Sequence, residues 1–237
     1  MKIGFVITAR LKSTRLPEKV LLKVNNRELL AWMIDRAKLS SLVDEIIIST
    51  STNPQDDRLC ELAEREGIEC FRGDEDDVLN RLYCTAKKFD LDFIINGIAD
   101  SPLFSFDYTS EILDSLINKK ANVVVMYNIP IGLGLFGIDV KALKKANKEK
   151  KTKKTQYIDD FFDNIYNLDM KYMRDYHITI DYPEDYELFK KLFEVFGNDT
   201  YKLRTCDLIE YLDEHPEVAY INKNRNQERE ERWKEKK

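Results

Sequence analysis

Four short runs rich in Ile and Val, IGFVIT (residues 3–8), EIIIST (45–50), FIING (93–97) and VVVMY (123–127), narrow what this chain can fold into. Each is apolar at consecutive positions, as expected of strands buried on both faces. Segments of helical period separate them. In ELLAWMIDRAKL, Leu29, Leu30, Met33, Ile34 and Ala37 share one face, DDRLCELAEREG closes on Gly67, and DDVLNRLYCTAKKF follows. The alternation implies an α/β fold, a mostly parallel mixed sheet with helices on both faces. After Tyr127 the pattern becomes irregular. LFGID (135–139) and HITID (177–181) read as further strands, and YPEDYELFKKLFEVFG as a helix with Pro183 in its first turn and Gly197 past its end. With 237 residues and 43% hydrophobic content the chain is expected to form one domain over residues 1–221. The stretch KEKKTKK (148–154) reads as a solvated loop, and residues 222–237 as a frayed, charged tail.

In an open α/β sheet, ligands bind beyond the carboxyl ends of the strands, so the segment after the first strand is the first candidate. There stands ARLKSTRLPEK, with Arg10, Lys12, Arg15 and Lys19 crowded around Ser13 and Thr14 on a loop that Pro17 pins. Guanidinium forks, an ammonium and hydroxyls together suit a polyphosphate, and a nucleoside triphosphate is the natural guest. Lys12 by itself reads as an ordinary surface cation. The formal net charge of −5 offers no general attraction to nucleic acid or to an anionic membrane, so the cluster acts locally. Triphosphate chemistry also needs a hard divalent cation, which takes carboxylate oxygens. Asp100 follows FIINGIA and Asp181 closes HITI, both just before proline-containing turns. Alone, either is turn or capping chemistry; two at strand ends facing a cationic loop suggest a shared magnesium site. Asp185 is expected to balance the N-terminus of the following helix.

Other signals lead elsewhere. GLGLFG (132–137) fits a dinucleotide-binding pattern, but it lies mid-chain after Pro130 and no acidic residue ends a second strand roughly 20 residues on, so a substrate loop or a glycine-relieved bend is expected. His177 reads as structural, with substrate contact the alternative. Cys60, Cys70, Cys84 and Cys206 have neither C-x-x-C spacing nor a nearby histidine and are expected to be buried free thiols. With no signal peptide and no apolar run of membrane length, the expectation is a cytoplasmic protein.

The ordered motifs ITARLKSTRLPEKVL, VDEIIISTSTNPQDD, FRGDEDDVLNRL, ADSPL and ITIDYPEDYELFKKLF resemble the cytidylyltransferases that activate acidic sugars as CMP conjugates. The branch they are most similar to is the spore-coat polysaccharide type, with the 3-deoxy-manno-octulosonate and acylneuraminate cytidylyltransferases as relatives. The resemblance implies a nucleotide-diphospho-sugar transferase fold, magnesium dependence, a homodimer, and CTP and a small acidic acceptor as partners. It also implies roles for particular residues. Arg10, Arg15 and Lys19 would hold the triphosphate and, with Asp100, carry catalysis; Asp100 and Asp181 would hold the metal. Arg72, Gly73, Asp74 and Asp77 would lie near base and ribose. Ala9, Ser13, Thr14 and Asn96 are further nucleotide-binding candidates, read from their places in the loop after the first strand and in the FIING run and not from the resemblance. The chain departs from the branch at Asn96, where an arginine is usual, and residues 128–176 carry no matched motif. A related enzyme acting on a sugar phosphate, a phosphonate or another acceptor, and a non-catalytic sugar-nucleotide binding subunit, remain alternatives at this point.

Overall fold

The Ile- and Val-rich runs form the middle of one sheet. The computed structural model describes residues 1–155, 157–225, 228, 229 and 231; the remaining positions of the stretch read as a charged tail lie outside the described residues. Among the described residues the strands are β1 Ile3–Thr8, β2 Lys23–Val24, β3 Arg27–Glu28, β4 Glu45–Ser51, β5 Glu69–Gly73, β6 Phe93–Ile98, β7 Val123–Tyr127, β8 Phe136–Asp139 and β9 Ile165–Asp169. The α-helices are α1 Leu29–Ala37, α2 Asp57–Arg65, α3 Val78–Lys88, α4 Thr109–Ile117, α5 Val140–Glu149, α6 Pro183–Phe196, α7 Thr205–Glu214 and α8 Pro216–Ala219. Seven strands pair in the order β5-β4-β1-β6-β8-β7-β9, while β2 and β3 make a separate small hairpin. Every neighbouring pair in the large sheet is parallel except the two that involve β8. The carboxyl ends of β1, β4, β5 and β6 therefore share one edge of the sheet.

Consecutive apolar residues are needed because each strand covers two cores. Phe5 and Ile7 pack with Ile48, Ile95 and Val124 beneath α1, α2 and α4, whereas Val6 packs with Ile47, Ile94 and Val123 against α3 and α5. A third core lies on the far side of α1, where Leu29 and Trp32 meet Leu188 and Phe189 of α6 and Leu208 and Leu212 of α7. Enclosed between two cores, α1 is buried at every residue but Asp35. Its Arg36 is fully buried and donates from Nε to Phe104 O at 2.5 Å and from Nη1 to Tyr201 O at 2.7 Å. Burial pushes this guanidinium down to about 9, with Asp107 acting in the opposite direction.

Several expectations are corrected. HITID is not a strand: it is an irregular segment with bends at Thr179 and Asp181 that makes one isolated bridge, Ile131 to His177, and a hydrogen bond from Ile178 N to Ile131 O at 2.8 Å. Strands β5 and β9 emerge where none was expected. Within GLGLFG, Gly132 sits at φ +95 with the Ile178 carbonyl where a Cβ would stand, so the motif is a bend and the start of β8, with no strand–helix turn for a dinucleotide. Cys60 of α2 and Cys70 of β5 form a disulfide, and Cys84 and Cys206 are half-exposed thiols; the pairing depends on packing of α2 against the edge strand, which spacing alone does not reveal. Asn222 and Arg225, inside the stretch read as a tail, bond to the segment around α6. Among the described residues no helix is long and apolar enough to cross a membrane.

Because the disulfide joins cysteines 10 residues apart, its loss is expected to cost about 2–3 kcal/mol, or roughly 4–12 °C in Tm for a chain of this length. Thermal unfolding of Cys60→Ser, followed by circular dichroism with and without reductant on the parent, checks this: an unchanged midpoint would show that the bridge constrains nothing.

Candidate active site

The loop after β1 is tied to the sheet before it reaches its charged residues. Ala9 N donates to Ser49 O at 3.2 Å, and Leu11 N to Oδ1 of the fully buried Asp56 at 2.8 Å. Asp56 also accepts from the Ser51 hydroxyl, so one carboxylate joins the ends of β1 and β4. The chain then passes Pro17 into a short 3-10 turn, Lys19–Leu21, which carries Lys19 inward until its side chain is 13% exposed. On the neighbouring strand, Ala99 N donates to Thr8 O at 3.0 Å, and Asp100 stands just past β6. Ile180 N donates to Asp100 O at 2.8 Å. That single backbone bond brings the 177–181 segment alongside, and Asp181 reaches the site without belonging to the sheet.

Four of the residues singled out in the sequence converge there. Lys19 Nζ lies 3.0 Å from Asp100 Oδ2 and 2.9 Å from Asp181 Oδ1. Arg15 donates from Nη2 to the same Asp181 oxygen and from Nε to Asp181 O at 3.4 Å, with its guanidinium carbon 4.8 Å from the centre of the Tyr182 ring. Burial pulls the Lys19 ammonium down, but Asp100 and Asp181 outweigh it and the net direction is up. For Asp181 burial pushes the carboxyl up, and Lys19 and Arg15 outweigh it, leaving it below the ordinary range. Two anions and two cations thus balance in a partly dry cleft.

The other expected residues are placed differently. Arg10 and Thr14 are exposed and Ser13 half-buried, while Lys12 pairs with Glu75 Oε1 at 3.1 Å. Arg72 donates to Ser51 O and Asn53 O at 3.0 and 2.9 Å and pairs with Asp57, so its guanidinium binds the β4 loop. Gly73 lies against Arg81, whose Cγ would stand 2.9 Å from an added Cβ. Asp74 accepts from the backbone N–H groups of Asp76 and Asp77, which hold its carboxyl below the usual range. Asp77 is 5% exposed, caps α3 through Asn80 N, and accepts from Thr155 Oγ1 at 3.0 Å and from Lys150. The lysine-rich stretch 148–154, expected to be a solvated loop, begins as the last turn of α5, and Lys150 within it and Thr155 just past it fasten it to the start of α3, while residues 151–154 are exposed. Asn96 is 3% exposed and its amide donates to Val6 O and Thr8 Oγ1, so this side chain supports β1 from within the sheet.

Among the described residues no three His, Cys, Asp or Glu side chains gather as a metal cage. Asp100 and Asp181 nevertheless offer hard oxygen donors on a shared partner, and magnesium is commonly held by one or two carboxylates together with substrate phosphates and water. The donor set fits that ion.

Because the Asp181 carboxyl is lowered, its ionised form contributes stability above the unfolded value near ~4, and this is lost as pH falls through the folded value. In metal-free buffer, Asp181→Asn is expected to unfold at a lower temperature than the parent at pH 7, with the gap closing towards pH 3. A gap independent of pH, read from paired thermal melts, would contradict the assignment.

Comparison with known proteins extends this geometry. A family model described as cytidylyltransferase matches residues 5–229. The chain is similar to the spore coat polysaccharide biosynthesis protein SpsF of Bacillus subtilis (strain 168), with 26% identity over 233 residues, 92% of this chain and 96% of that protein. It is also similar to the 3-deoxy-manno-octulosonate cytidylyltransferase of Chloroherpeton thalassium, with 34% identity over 119 residues that span 49% of this chain and 45% of that one. A solved cytidylyltransferase from Leptospira borgpetersenii shares the fold, with a TM-score of 0.83 at 24% identity, covering 92% of this chain and 97% of its own. With the family matched over nearly the whole chain, this protein belongs to the cytidylyltransferases and is a nucleotidyltransferase.

Proposed function

We propose that the protein is a magnesium-dependent enzyme that transfers CMP from CTP to an acidic sugar, of the ulosonic or nonulosonic acid kind, and releases pyrophosphate, in the synthesis of a surface polysaccharide or glycan. The observation that carries the reading is the convergence of Lys19, Arg15, Asp100 and Asp181 at the carboxyl edge of the sheet. The similarity to SpsF and to 3-deoxy-manno-octulosonate cytidylyltransferase supports the choice of acceptor class. The reading takes the enzyme to be a cytoplasmic homodimer, with light scattering of the purified chain as the test of its assembly.

In this reading an acceptor oxygen attacks the α-phosphorus in line, and the bond to the β-phosphate breaks as the new one forms. Arg10 and Arg15 bind the triphosphate from the loop after β1, with Ser13 and Thr14 as hydroxyl donors. Lys19 is the least exposed cation of that loop and stands over the departing pyrophosphate, where a fixed charge stabilises the transition state more than the bound substrate. Incoming phosphates compete with the carboxylates for Arg15 and Lys19, so that oxygens of Asp100 and Asp181 would be free to hold magnesium. When bound, that ion would supply charge neutralisation at the phosphates and would lower the pKa of the acceptor hydroxyl. Ser101, whose hydroxyl donates to Asp100 Oδ1 at 3.3 Å, orients the acid.

The test is pyrophosphate release from CTP, UTP, ATP and GTP against a panel of acidic sugars, sugar phosphates and phosphonates. Release with CTP and one acidic sugar is expected, and the other nucleotides should be rejected strongly by a site that hydrogen-bonds cytosine. Equal release from UTP or ATP would overturn the nucleotide assignment, and release only with a sugar phosphate the acceptor assignment. In that assay Asp100→Asn is expected to reduce kcat by at least about 1,000-fold and Lys19→Ala by about 100- to 1,000-fold, both with unchanged far-ultraviolet circular dichroism. Loss of the folded spectrum in Asp100→Asn would make that acid structural.

A further inference from the structure

The first turn of α6 contains a second carboxylate that is wholly buried. Asp185 is 0% exposed, and its Oδ2 accepts from both Asp181 N and Tyr182 N at 2.8 Å. A capping acid ordinarily reaches back to the residue that opens the helix, here Tyr182. The bond to Asp181 N goes one residue further, to the backbone of the acid that meets Lys19 and Arg15. A buried carboxylate is costly unless its charge is compensated. The compensation comes from the C-terminal stretch: Oδ1 of Asp185 accepts from Asn222 Nδ2 at 2.7 Å and from the guanidinium of Arg229.

Two further contacts run in the same direction. Asn222 also donates to His177 O at 2.9 Å, four residues before Asp181, and Arg225 pairs at 2.8 Å with Glu184. The Tyr182 ring meets cations of both the site and this segment, its centre 4.8 Å from the guanidinium carbon of Arg15 and 5.3 and 5.5 Å from those of Arg225 and Arg229. Residues 177–185, which carry Asp181, are thus tied to Asn222, Arg225 and Arg229 at His177, Tyr182, Glu184 and Asp185.

We infer that the C-terminal segment is a working part of the active site, in which Arg229 and Asn222 hold Asp185 and Asp185 positions Asp181. The inference rests on the role given to Asp181 under the proposed function. Arg229 and Asp185 are positioning residues, since neither meets the reacting atoms. Their effect falls on the metal and the chemical step, with little consequence for nucleotide affinity, which the β1 loop governs.

The test uses the full chain and the variants Arg229→Ala, Arg229→Lys, Asp185→Asn and the double Arg229→Ala/Asp185→Asn, with Mn2+ binding in the presence of CTP followed by electron paramagnetic resonance beside kcat, KM and melting temperature. Arg229→Ala is expected to weaken Mn2+ binding and lower kcat about tenfold each, with CTP affinity within about twofold of the parent and Arg229→Lys restoring most of the loss. The double variant is expected to be no worse than Asp185→Asn, as for residues acting through one contact. Parental Mn2+ binding and kcat in Arg229→Ala, whatever its melting temperature, or additive losses in the double variant, would overturn the inference. If Asp185→Asn does not fold, the Ala and Lys variants at Arg229 decide alone. Pyrophosphate release by the parent tests the underlying reading separately, because the Mn2+–CTP measurement needs no acceptor.

Discussion

One ammonium ties together three stretches of chain that are remote in sequence. Lys19 Nζ lies within 3.0 Å of Asp100 and of Asp181, and Arg15 shares the second carboxylate. Such a contact holds only if each backbone arrives in register, because a buried charge without its partner is strongly destabilising. The sheet satisfies that demand: β1 and β6 pair in parallel from Ile3 with Phe93 to Thr8 with Ile98, so the residues that follow them emerge side by side. The Asp56 carboxylate fixes the first loop to β4, and the bond from Ile180 N to Asp100 O delivers the third stretch. The architecture can be understood as a means of presenting these charges together in a place dry enough for them to matter.

The parts of this arrangement legible in the sequence are those with a periodic or chemical signature. Central strands showed themselves because burial on two faces forces consecutive apolar residues, and the cations after β1 and the acids Asp100 and Asp181 showed themselves by crowding where ligands bind. Edge strands did not. β5 and β9 are at the two margins of the sheet, where β9 alternates exposed and half-buried residues and β5 has no fully buried one, so neither needs an apolar run. The 177–181 segment misled in the opposite sense: its apolar residues point into the α6 core, yet only one bridge joins it to a neighbour. Long-range polar pairing was equally hidden. Asp77 with Lys150 and Thr155, Asp185 with Asn222, and Arg36 with two carbonyls are unions that no local pattern announces.

The reversed strand β8 marks a division in how the site is made. On one side of it β6, β1, β4 and β5 run parallel and end in the charged loops; on the other, β7 and β9 end in residues for which the sequence holds no recognisable motif. Gly132 permits the bend that carries the chain from β7 into the reversed β8, with the Ile178 backbone packed where any larger residue would intrude. Family membership rests on a match spanning both parts.

Arg36 gives that division a mechanical side. Its guanidinium holds the carbonyl of Phe104, four residues beyond Asp100, and that of Tyr201, and stacks near Phe104 and Phe106. Withdrawing it would cost both carbonyls a charged donor, so the loop that follows Asp100 is held from behind. A molecule with such a keel can vary the residues around this loop over generations without displacing the backbone that carries Asp100.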